Sequence, residues 1–383
     1  MKVLVLFEYA NHYQTIDNLC KHLNLKGVDA SSFNLTYWRF RRGSTGHRVL
    51  WIRLVCALAV LPGVRGLMST LFRDRALRRL SRSFDAVDIH FFSPRYDRLI
   101  EALGRRHKPV KITIWGSDFF KATEVRREKQ RELYQKVRVV QLETREIAGE
   151  FLKVYPELED RVRIAHFGIV QLEIIDELLG LWTREHYRKE LEVPVQRMVL
   201  TCGTNRSKGH RHLKILESIG RLEPGLREQL YLVFPMTYGG DRALIQLVRE
   251  KARSLGVPFR ILGSFLSLED LCKYRIISDI TLTIQESDAL ASAIQEHLYT
   301  EEVLIAGDWL PYQVLKDHGV FYLTTSLESL DEVLADAIAN HAAWRDKCAG
   351  NRGRIAGFSG WDHVIGDWLD IYRALVPDME PSL

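Results

Sequence analysis

Short apolar runs alternate with amphipathic segments along nearly the whole chain, and this rhythm constrains the fold more than any other feature. Lys2–Phe7 opens the first half with such a run, and the run at 197–202 opens the second. Runs rich in Val, Ile and Leu are typical of strands buried on both faces of a parallel sheet. The alternation predicts an α/β chain with two doubly wound Rossmann-like domains that face each other across a cleft.

The predicted domain limits follow the interruptions of this rhythm. A chain of 383 residues is long enough for two α/β domains with separate cores. We predict an N-terminal domain over 1–190 that contains a basic amphipathic insertion over 38–82. A second domain would cover 191–358, and an amphipathic helix within 359–383 would cross back to the first domain.

The cysteines and the N-terminal residues indicate a reducing compartment. The cysteines are odd in number and scattered, and no two of them form a CxxC pair. This argues against a disulfide framework or a zinc site. The N-terminal run Lys2–Phe7 is better interpreted as a strand than as a signal peptide. We therefore expect a cytoplasmic protein.

The insertion is strongly basic and partly apolar. Eleven arginines and a single acid, Asp74, lie between Trp38 and Arg82. The apolar run Val49–Leu61 is stopped by Pro62 and is too short for a bilayer span, which needs about 20 apolar residues. Arginine beside Trp and Leu is typical of a helix lying on an anionic membrane surface.

This pattern predicts a peripheral position at the inner face of the plasma membrane. The alternative is an internal helical hairpin whose arginines are solvated. Nucleic acid is not expected as a partner, because a long apolar run does not suit a groove for a phosphate backbone. The candidate acceptor or membrane contacts are Arg39, Arg41, Arg42, Trp51 and Arg53.

A loop with phosphate-binding character follows the first strand of the second half. The stretch from Gly203 to His210 lies between that strand and a helix, where unpaired backbone N–H groups meet a positive dipole end. A second such turn follows the next strand, at Tyr238–Gly240, and its tyrosine can stack on a base or a sugar. The alternatives are a solvated basic turn and an ordinary β-to-α turn. The candidate donor-binding residues of these two turns are Gly203, Thr204, Arg206, Lys208, Tyr238 and Gly239.

Four short motifs resemble nucleotide-sugar glycosyltransferases of the GT-B fold. Trp115–Asp118 is similar to the WGAD strand end of the bacterial family that transfers 4-acetamido-4,6-dideoxygalactose to a lipid-linked acceptor. Gly203–Ser207 is similar to the GNSGDRS loop of that family, and Phe234–Gly240 to its VPMGYP strand end. Asp288 and Glu296 match the spacing of the E-x7-E element of retaining GT-B enzymes.

The resemblance implies a donor, an acceptor and roles for two acids. The donor would be a nucleoside diphosphate sugar and the acceptor a lipid-linked or cell-envelope glycan, with no cofactor and no metal. Glu296 would bind ribose hydroxyls and Asp288 would contact the donor sugar, both on one face of a helix that begins at 288. The chain departs from the family because Asp replaces the first Glu and the usual glycine is missing. The alternative is a solvated helix face capped by Asp288.

Two residues of the first half are candidate catalytic bases. Asp118 ends a predicted strand and can deprotonate an acceptor hydroxyl, or it caps the following helix. His12, just after the first strand, is the second candidate, although a lone histidine is more often structural. The acid pair favours retention of configuration and a base at Asp118 favours inversion, so the stereochemistry stays open.

The sequence thus predicts a hexosyltransferase-type enzyme, with two rivals. A nucleotide-sugar 2-epimerase of the same fold would need no acceptor and no basic insertion. A non-catalytic membrane scaffold of this fold would tolerate loss of Arg206 or Glu296. A dinucleotide-dependent dehydrogenase is disfavoured, because no GxGxxG follows the first strand.

Overall fold

The structure is a computed structural model that describes residues 1–8, 13–35, 39–41, 73–288 and 290–376. It divides into two compact units. The first comprises residues 1–168 together with the C-terminal segment that begins at Trp361, and the second is Ile169–Gly360.

The first unit is built on one sheet with the strand order β3-β2-β1-β4-β5-β6-β7. All neighbouring strands are parallel except β2 and β3, which pair antiparallel. The strands are β1 (Lys2–Phe7), β2 (Asp29–Asn34), β3 (Arg39–Arg41), β4 (Ala86–His90), β5 (Val110–Thr113), β6 (Val139–Leu142) and β7 (Val162–Ile164).

Helices connect these strands and cover the sheet. Those of the N-terminal part are α1 (Tyr13–Leu25), α2 (Arg73–Leu80), α3 (Asp97–Gly104), α4 (Ser117–Phe120), α5 (Glu124–Tyr134) and α6 (Arg145–Val154). Buried aliphatic side chains of β1 and β4 lie at the centre of the unit because a parallel sheet is covered on both faces. Three-residue 3₁₀ turns stand at Ser81–Ser83 and Pro94–Tyr96.

Both described ends of the basic insertion belong to the folded unit. Arg39–Arg41 forms an edge strand, with Ser32 opposite Arg41 and Asn34 opposite Arg39. Leu77 and Leu80 of α2 are buried in the core. The insertion predicted over 38–82 therefore contributes structure at both of its ends, while residues 42–72 lie outside the described part of the chain.

The second unit has a parallel sheet with the order β10-β9-β8-β11-β12-β13. Its register is fixed by pairs such as Leu200 with Ile280 and Ile280 with Val303. The strands are β8 (Met198–Cys202), β9 (Leu230–Pro235), β10 (Phe259–Leu262), β11 (Ile280–Thr283), β12 (Val303–Gly307) and β13 (Leu323–Thr325).

Two hydrophobic clusters cover the faces of this sheet. The helices are α7 (Val170–Leu181), α8 (Arg184–Glu190), α9 (His212–Arg221), α10 (Pro224–Arg227), α11 (Ala243–Ser254), α12 (Leu268–Ile277), α13 (Ser292–Tyr299), α14 (Gln313–Asp317), α15 (Leu330–Ala339), α16 (His341–Cys348) and α17 (Asn351–Ser359). The chain then returns to the first unit as α18 (Trp361–Leu375), whose buried face packs beside β1 and α1.

Two boundaries differ from the sequence-based expectation. Residues 169–190 belong to the second unit, because Leu172, Ile175 and Leu178 of α7 pack in one of its clusters. The helix expected from 288 begins only at Ser292. Asp288 therefore lies in the preceding loop and does not share a helix with Glu296.

A search of the described residues for membrane spans gives a negative result. None of their helices combines the length and the apolar character that a bilayer crossing requires.

Candidate functional site

The strand order of the second unit reverses between β8 and β11, and two loops leave the sheet at this point. Ligands of open parallel sheets bind beyond the carboxyl ends of the strands at such a switch point. The loop Gly203–His210 follows β8, and the residues from Ile284 onward follow β11. The two loops meet where the Glu286 N–H donates to the Gly209 carbonyl, with N and O 2.9 Å apart.

The first turn of the β8 loop requires glycine. Gly203 has φ +69°, and its N–H donates to the Leu282 carbonyl at 3.0 Å. A Cβ at this position would lie 2.7 Å from Cε1 of His212. A side chain would therefore force the loop away from α9, in addition to the cost of the left-handed backbone.

Two neutral histidines hold the rest of this loop. Nδ1 of His210 accepts the N–H of Thr204 at 3.4 Å, and Nε2 of His212 lies 2.7 Å from the Asn205 carbonyl oxygen. Burial and the neighbouring His212 lower the pKa of His210 to about 4. Burial also lowers the pKa of His212, so both rings are uncharged at neutral pH.

Arg206 ties the β8 loop to the turn after β9. Its backbone N–H donates to the Tyr238 carbonyl at 2.8 Å, and its Nε donates to the Gly239 carbonyl at 2.7 Å. Nη1 lies 3.5 Å from the Met236 carbonyl oxygen. The guanidinium predicted to bind a leaving phosphate thus donates to main-chain carbonyls on the β9 side.

The turn after β9 lies directly against this loop. Gly239 and Gly240 have φ +78° and +50°, and a Cβ on Gly240 would lie 2.3 Å from the Arg206 carbonyl oxygen. The Tyr238 ring is half exposed and stacks on the exposed ring of Phe265, with centroids 6.1 Å apart. Lys208 is exposed, and no described residue pairs with its ammonium group. These features bring Gly203, Thr204, Arg206, Tyr238 and Gly239 together.

Asp288 is the last of a series of hydrogen-bonded side chains in the loops that follow β11 and β12. Its Oδ2 accepts the hydroxyl of Tyr312 at 2.5 Å and the N–H of Ala291 at 3.0 Å. The Tyr312 hydroxyl also accepts Nε2 of Gln285 at 3.3 Å. Asp288 is therefore oriented by a side chain and by an N–H near the start of α13, and it is partly exposed.

Glu296 is buried and ion-paired. Its Oε2 lies 2.9 Å from Nε of Arg275, and Nη1 of the same guanidinium lies 2.7 Å from Nε2 of His297. Nδ1 of His297 lies 2.5 Å from Oε1 of the fully buried Glu302. Arg275 is the only described residue that hydrogen-bonds to the Glu296 side chain. The two acids predicted to act together thus have separate partners.

In the first unit, Asp118 links two loops. Its Oδ2 accepts the N–H of Phe92 at 2.9 Å, and its Oδ1 accepts the N–H of Trp115 at 3.0 Å. Burial raises the pKa of this carboxyl to about 6, against the opposing effect of the backbone hydrogen bonds. The carboxylate therefore fixes the loops after β4 and β5, and its acid form is accessible near neutral pH.

A second carboxylate, which was not predicted from the sequence, lies at the same edge of the first sheet. Glu8 directly follows β1 and is buried, and its Oε1 accepts the Ser93 hydroxyl at 2.7 Å. Its Oε2 lies 3.3 Å from Nη1 of Arg95. Its position immediately after a buried strand is the signal that identifies it. The contact of Arg211 with Trp309, in which Cζ lies 5.1 Å from the ring centroid, was also not predicted, because it joins loops that follow different strands.

The remaining predicted residues are only partly described. Arg39 and Arg41 are placed in β3, which fixes their backbone. His12, Arg42, Trp51 and Arg53 lie outside the described residues. The structure therefore leaves their predicted roles as predictions.

No protein-family model matches the chain, and no curated protein matches it. Several solved structures are similar to the chain in fold. A glycosyltransferase from Rickettsia africae ESF-5 is 13% identical, with a TM-score of 0.74 over 99% of each chain. Anabaena Alr3699/HepE in complex with UDP is 12% identical, with a TM-score of 0.69 over 98% of this chain and 100% of that one.

A third similar structure carries a different activity in its name. UDP-GlcNAc 2-epimerase from Neisseria meningitidis, bound to UDP-GlcNAc, is 13% identical, with a TM-score of 0.60 over 97% of this chain and 100% of that one. At these identities the likeness shows the fold alone. The chain has the α/β GT-B fold with two Rossmann-like units, which confirms the predicted fold class.

Proposed function

We propose that the protein is a glycosyltransferase that moves a sugar from a nucleoside diphosphate sugar to an acceptor. The observation that carries this proposal is the edge of the second sheet at its switch point. There the glycine-dependent loop after β8, which carries the exposed cation of Lys208, meets the loop after β11. The fold is shared with a glycosyltransferase and with a protein that holds UDP.

The proposed chemistry requires charge stabilisation at the leaving group. A departing nucleoside diphosphate develops negative charge, and fixed side-chain cations and backbone N–H groups stabilise that charge in the transition state. The Lys208 ammonium is exposed and unpaired among the described residues, which leaves it available for this contact. We propose that the reaction needs no metal and no cofactor, and we expect EDTA to leave the rate unchanged.

Nucleotide binding is the first test. UDP, GDP, dTDP and CMP are compared in a thermal-shift measurement. A ligand that binds only the folded state stabilises it by about 2.7 kcal/mol at a hundredfold excess over its dissociation constant. We expect UDP or another nucleoside diphosphate to raise Tm by several degrees. Absence of a shift with every nucleotide would contradict the proposal.

We further propose that the enzyme is of the hexosyltransferase type and acts on a lipid-linked or cell-envelope glycan. The support is the resemblance of Trp115–Asp118, Gly203–Ser207 and Phe234–Gly240 to the family that transfers 4-acetamido-4,6-dideoxygalactose. Candidate acceptor-side groups in the first unit are the buried carboxylates of Asp118 and Glu8. Transfer from the donor identified above to lipid-extracted acceptors, followed by mass spectrometry, tests this proposal.

We propose peripheral membrane contact through the basic insertion, in the cytoplasm at the inner face of the plasma membrane. A deletion over 38–82 is a poor test, because it removes the buried Leu77 and Leu80. A better variant combines Arg42→Glu, Arg48→Glu and Arg53→Glu. It should lose binding to vesicles that contain anionic lipid, as measured by co-sedimentation.

A control for the membrane test has the same change of charge elsewhere on the first unit. It combines substitutions by Glu at three exposed cations, namely Arg105, Arg106 and Lys136. This control should keep vesicle binding. Equal binding by both triple variants would contradict the membrane proposal.

The alternative function is a nucleotide-sugar 2-epimerase, which the similarity to the Neisseria meningitidis enzyme favours. Inversion at C2 must break the C2–H bond, whereas sugar transfer leaves it intact. Incubation of the donor in D₂O without acceptor therefore separates the two activities. Deuterium at C2, detected by NMR, would establish the epimerase and exclude simple transfer.

A further inference from the structure

Arg211 stands at the junction between the β8 loop and α9 in a backbone conformation that arginine rarely adopts. Its φ and ψ are 53° and 37°, in the left-handed region. A non-glycine residue there is strained, and such strain is concentrated at functional sites. The conformation turns the chain between the 3₁₀ turn Lys208–His210 and the helix, and the Arg211 N–H donates to the Lys208 carbonyl at 2.9 Å.

The side chain of Arg211 reaches across the switch point. Its Nη1 lies 3.4 Å from the carbonyl oxygen of Ile284, the first residue after β11. Its Cζ lies 5.1 Å from the centroid of the Trp309 ring, which follows β12. A residue from the β8 loop is therefore held by groups from the two strands on the other side of the reversal in strand order.

Trp309 provides a rigid surface for the guanidinium. Its Nε1 donates to the Gln285 carbonyl at 2.8 Å, and its ring packs against Gly307. A Cβ on Gly307 would lie 2.5 Å from that ring, so only glycine leaves room for it. A guanidinium held over a tryptophan face gains a cation–π attraction and loses conformational freedom before any ligand binds.

Most hydrogen-bond donors of Arg211 remain available. A guanidinium has five N–H donors, and the structure shows one side-chain hydrogen bond, to Ile284. None of the described carboxylates forms an ion pair with Arg211. Arg206 differs, because its Nε and Nη1 donate to carbonyls on the β9 side, away from the switch point.

We infer that Arg211 supplies the guanidinium that binds the diphosphate of the donor, whereas Arg206 fixes the turn after β9. The inference rests on the proposed function and assigns the phosphate contact to a residue of the switch point. A planar guanidinium binds phosphate oxygens through two parallel hydrogen bonds, which an ammonium cannot do.

The test compares affinity for nucleoside diphosphates with affinity for the matching monophosphates. The probes are UDP with UMP, GDP with GMP and dTDP with dTMP, measured by calorimetry on the full chain. Arg211→Asn tolerates the left-handed backbone and removes the cation, so it is expected to fold. Its diphosphate affinity should fall roughly 10- to 100-fold, with the monophosphate affinity nearly unchanged.

Three further variants complete the series. Arg211→Lys keeps the charge but should recover only part of the diphosphate affinity. Arg206→Gln should weaken both nucleotides by the same factor, because it loosens the turn. Arg253→Gln, at an exposed position of α11, should change neither affinity.

Two results would overturn the inference, and they are distinguishable. If the wild type prefers diphosphate and Arg211→Asn keeps that preference, only the assignment of Arg211 fails. If none of the three diphosphates binds to the wild type, both the proposed function and the assignment of Arg211 fail.

Discussion

Oε2 of Glu296 lies 2.9 Å from Nε of Arg275, and both side chains are almost completely buried. The same guanidinium donates from Nη1 to Nε2 of His297, and that ring in turn contacts Glu302. Because Nε2 of His297 accepts from Arg275, the proton of the neutral imidazole is on Nδ1, which hydrogen-bonds to the Thr281 hydroxyl at 3.0 Å and also lies beside Glu302. Arg275 therefore holds the acid that the GT-B resemblance assigns to ribose, and it is itself held by a second buried pair.

Removal of Arg275 should destabilise the second unit strongly. Arg275→Met leaves the carboxylate of Glu296 buried without a partner, which costs about 3–5 kcal/mol of unfolding free energy. Urea denaturation at pH 7 measures this loss. The exposed pair Arg373–Asp370 is the control, since Arg373→Met removes an ion pair that solvent already screens. Similar losses of unfolding free energy in both variants would show that the buried ion pair contributes no more to stability than the exposed one.

Glu296 itself should determine whether the protein distinguishes ribose from deoxyribose. If its carboxylate binds the ribose hydroxyls, wild type prefers UDP over 2′-deoxy-UDP, and Glu296→Gln weakens UDP roughly tenfold and removes the preference. Calorimetry with both nucleotides measures the ratio. Glu332→Gln, at an exposed position of α15, is the control. An unchanged preference in Glu296→Gln would assign this acid a structural role.

Acid should weaken the β8 loop through His210. Its pKa is about 4 in the folded protein, whereas the ordinary value for histidine is 6.5, so the unfolded state binds more protons between these values. Stability therefore falls as pH decreases from about 6.5 to 4, by up to about 3 kcal/mol. In His210→Asn, the amide oxygen can take the place of Nδ1 as acceptor for Thr204. This variant should lack the fall in stability between about pH 6.5 and 4. Urea denaturation at a series of pH values measures the difference.

Asp118→Asn distinguishes the two roles predicted for this residue. Both oxygens accept backbone N–H groups, so replacement of one oxygen by an amide NH₂ should cost about 1–3 kcal/mol. We expect kcat of the folded variant to stay within about tenfold of the wild type. If Asp118 were a general base, the variant would instead lose roughly 10²–10⁴ in kcat.

The strands were predicted well because their burial is visible in the sequence. The sequence predicts strands at 29–34, 230–235 and 259–262, and β2, β9 and β10 have these limits. These segments are bounded by polar or turn residues. The prediction failed where apolar residues pack outside the sheet. The apolar residues at 320–322 favour a last strand at that place, but β13 pairs with β12 through Leu323–Thr325.

The helix α17 was not predicted, because Asn351–Ser359 contains two glycines and few apolar residues. Its burial comes from contacts of Ile355 and Phe358 with the rest of the unit. Such contacts join distant parts of the chain, and a local pattern does not contain them.

The site was predicted at the level of loops and less well at the level of side chains. The turns at Gly203 and Tyr238 were identified because each directly follows a parallel strand, and the carboxyl ends of such strands share one edge of a sheet. The partners of individual groups followed from tertiary contacts. Arg206 donates to carbonyls of the neighbouring turn, and Glu296 pairs with Arg275 of another helix. Neither contact leaves a signal in residue type or spacing.

Two glycines with positive φ separate the effect of backbone strain from that of close packing. A Cβ on Gly240 would lie 2.3 Å from the Arg206 carbonyl oxygen, whereas a Cβ on Gly256 would have no atom within 4 Å. Both residues have left-handed backbones, with φ +50° and +70°, so both alanine variants carry the backbone cost of about 1 kcal/mol.

Only Gly240→Ala should separate the turn after β9 from the β8 loop, and its nucleoside diphosphate affinity should fall at least about tenfold. Calorimetry on both variants, with Tm as the measure of stability, tests this expectation. Equal affinities in Gly240→Ala and Gly256→Ala would show that the contact between the two turns does not contribute to nucleotide binding.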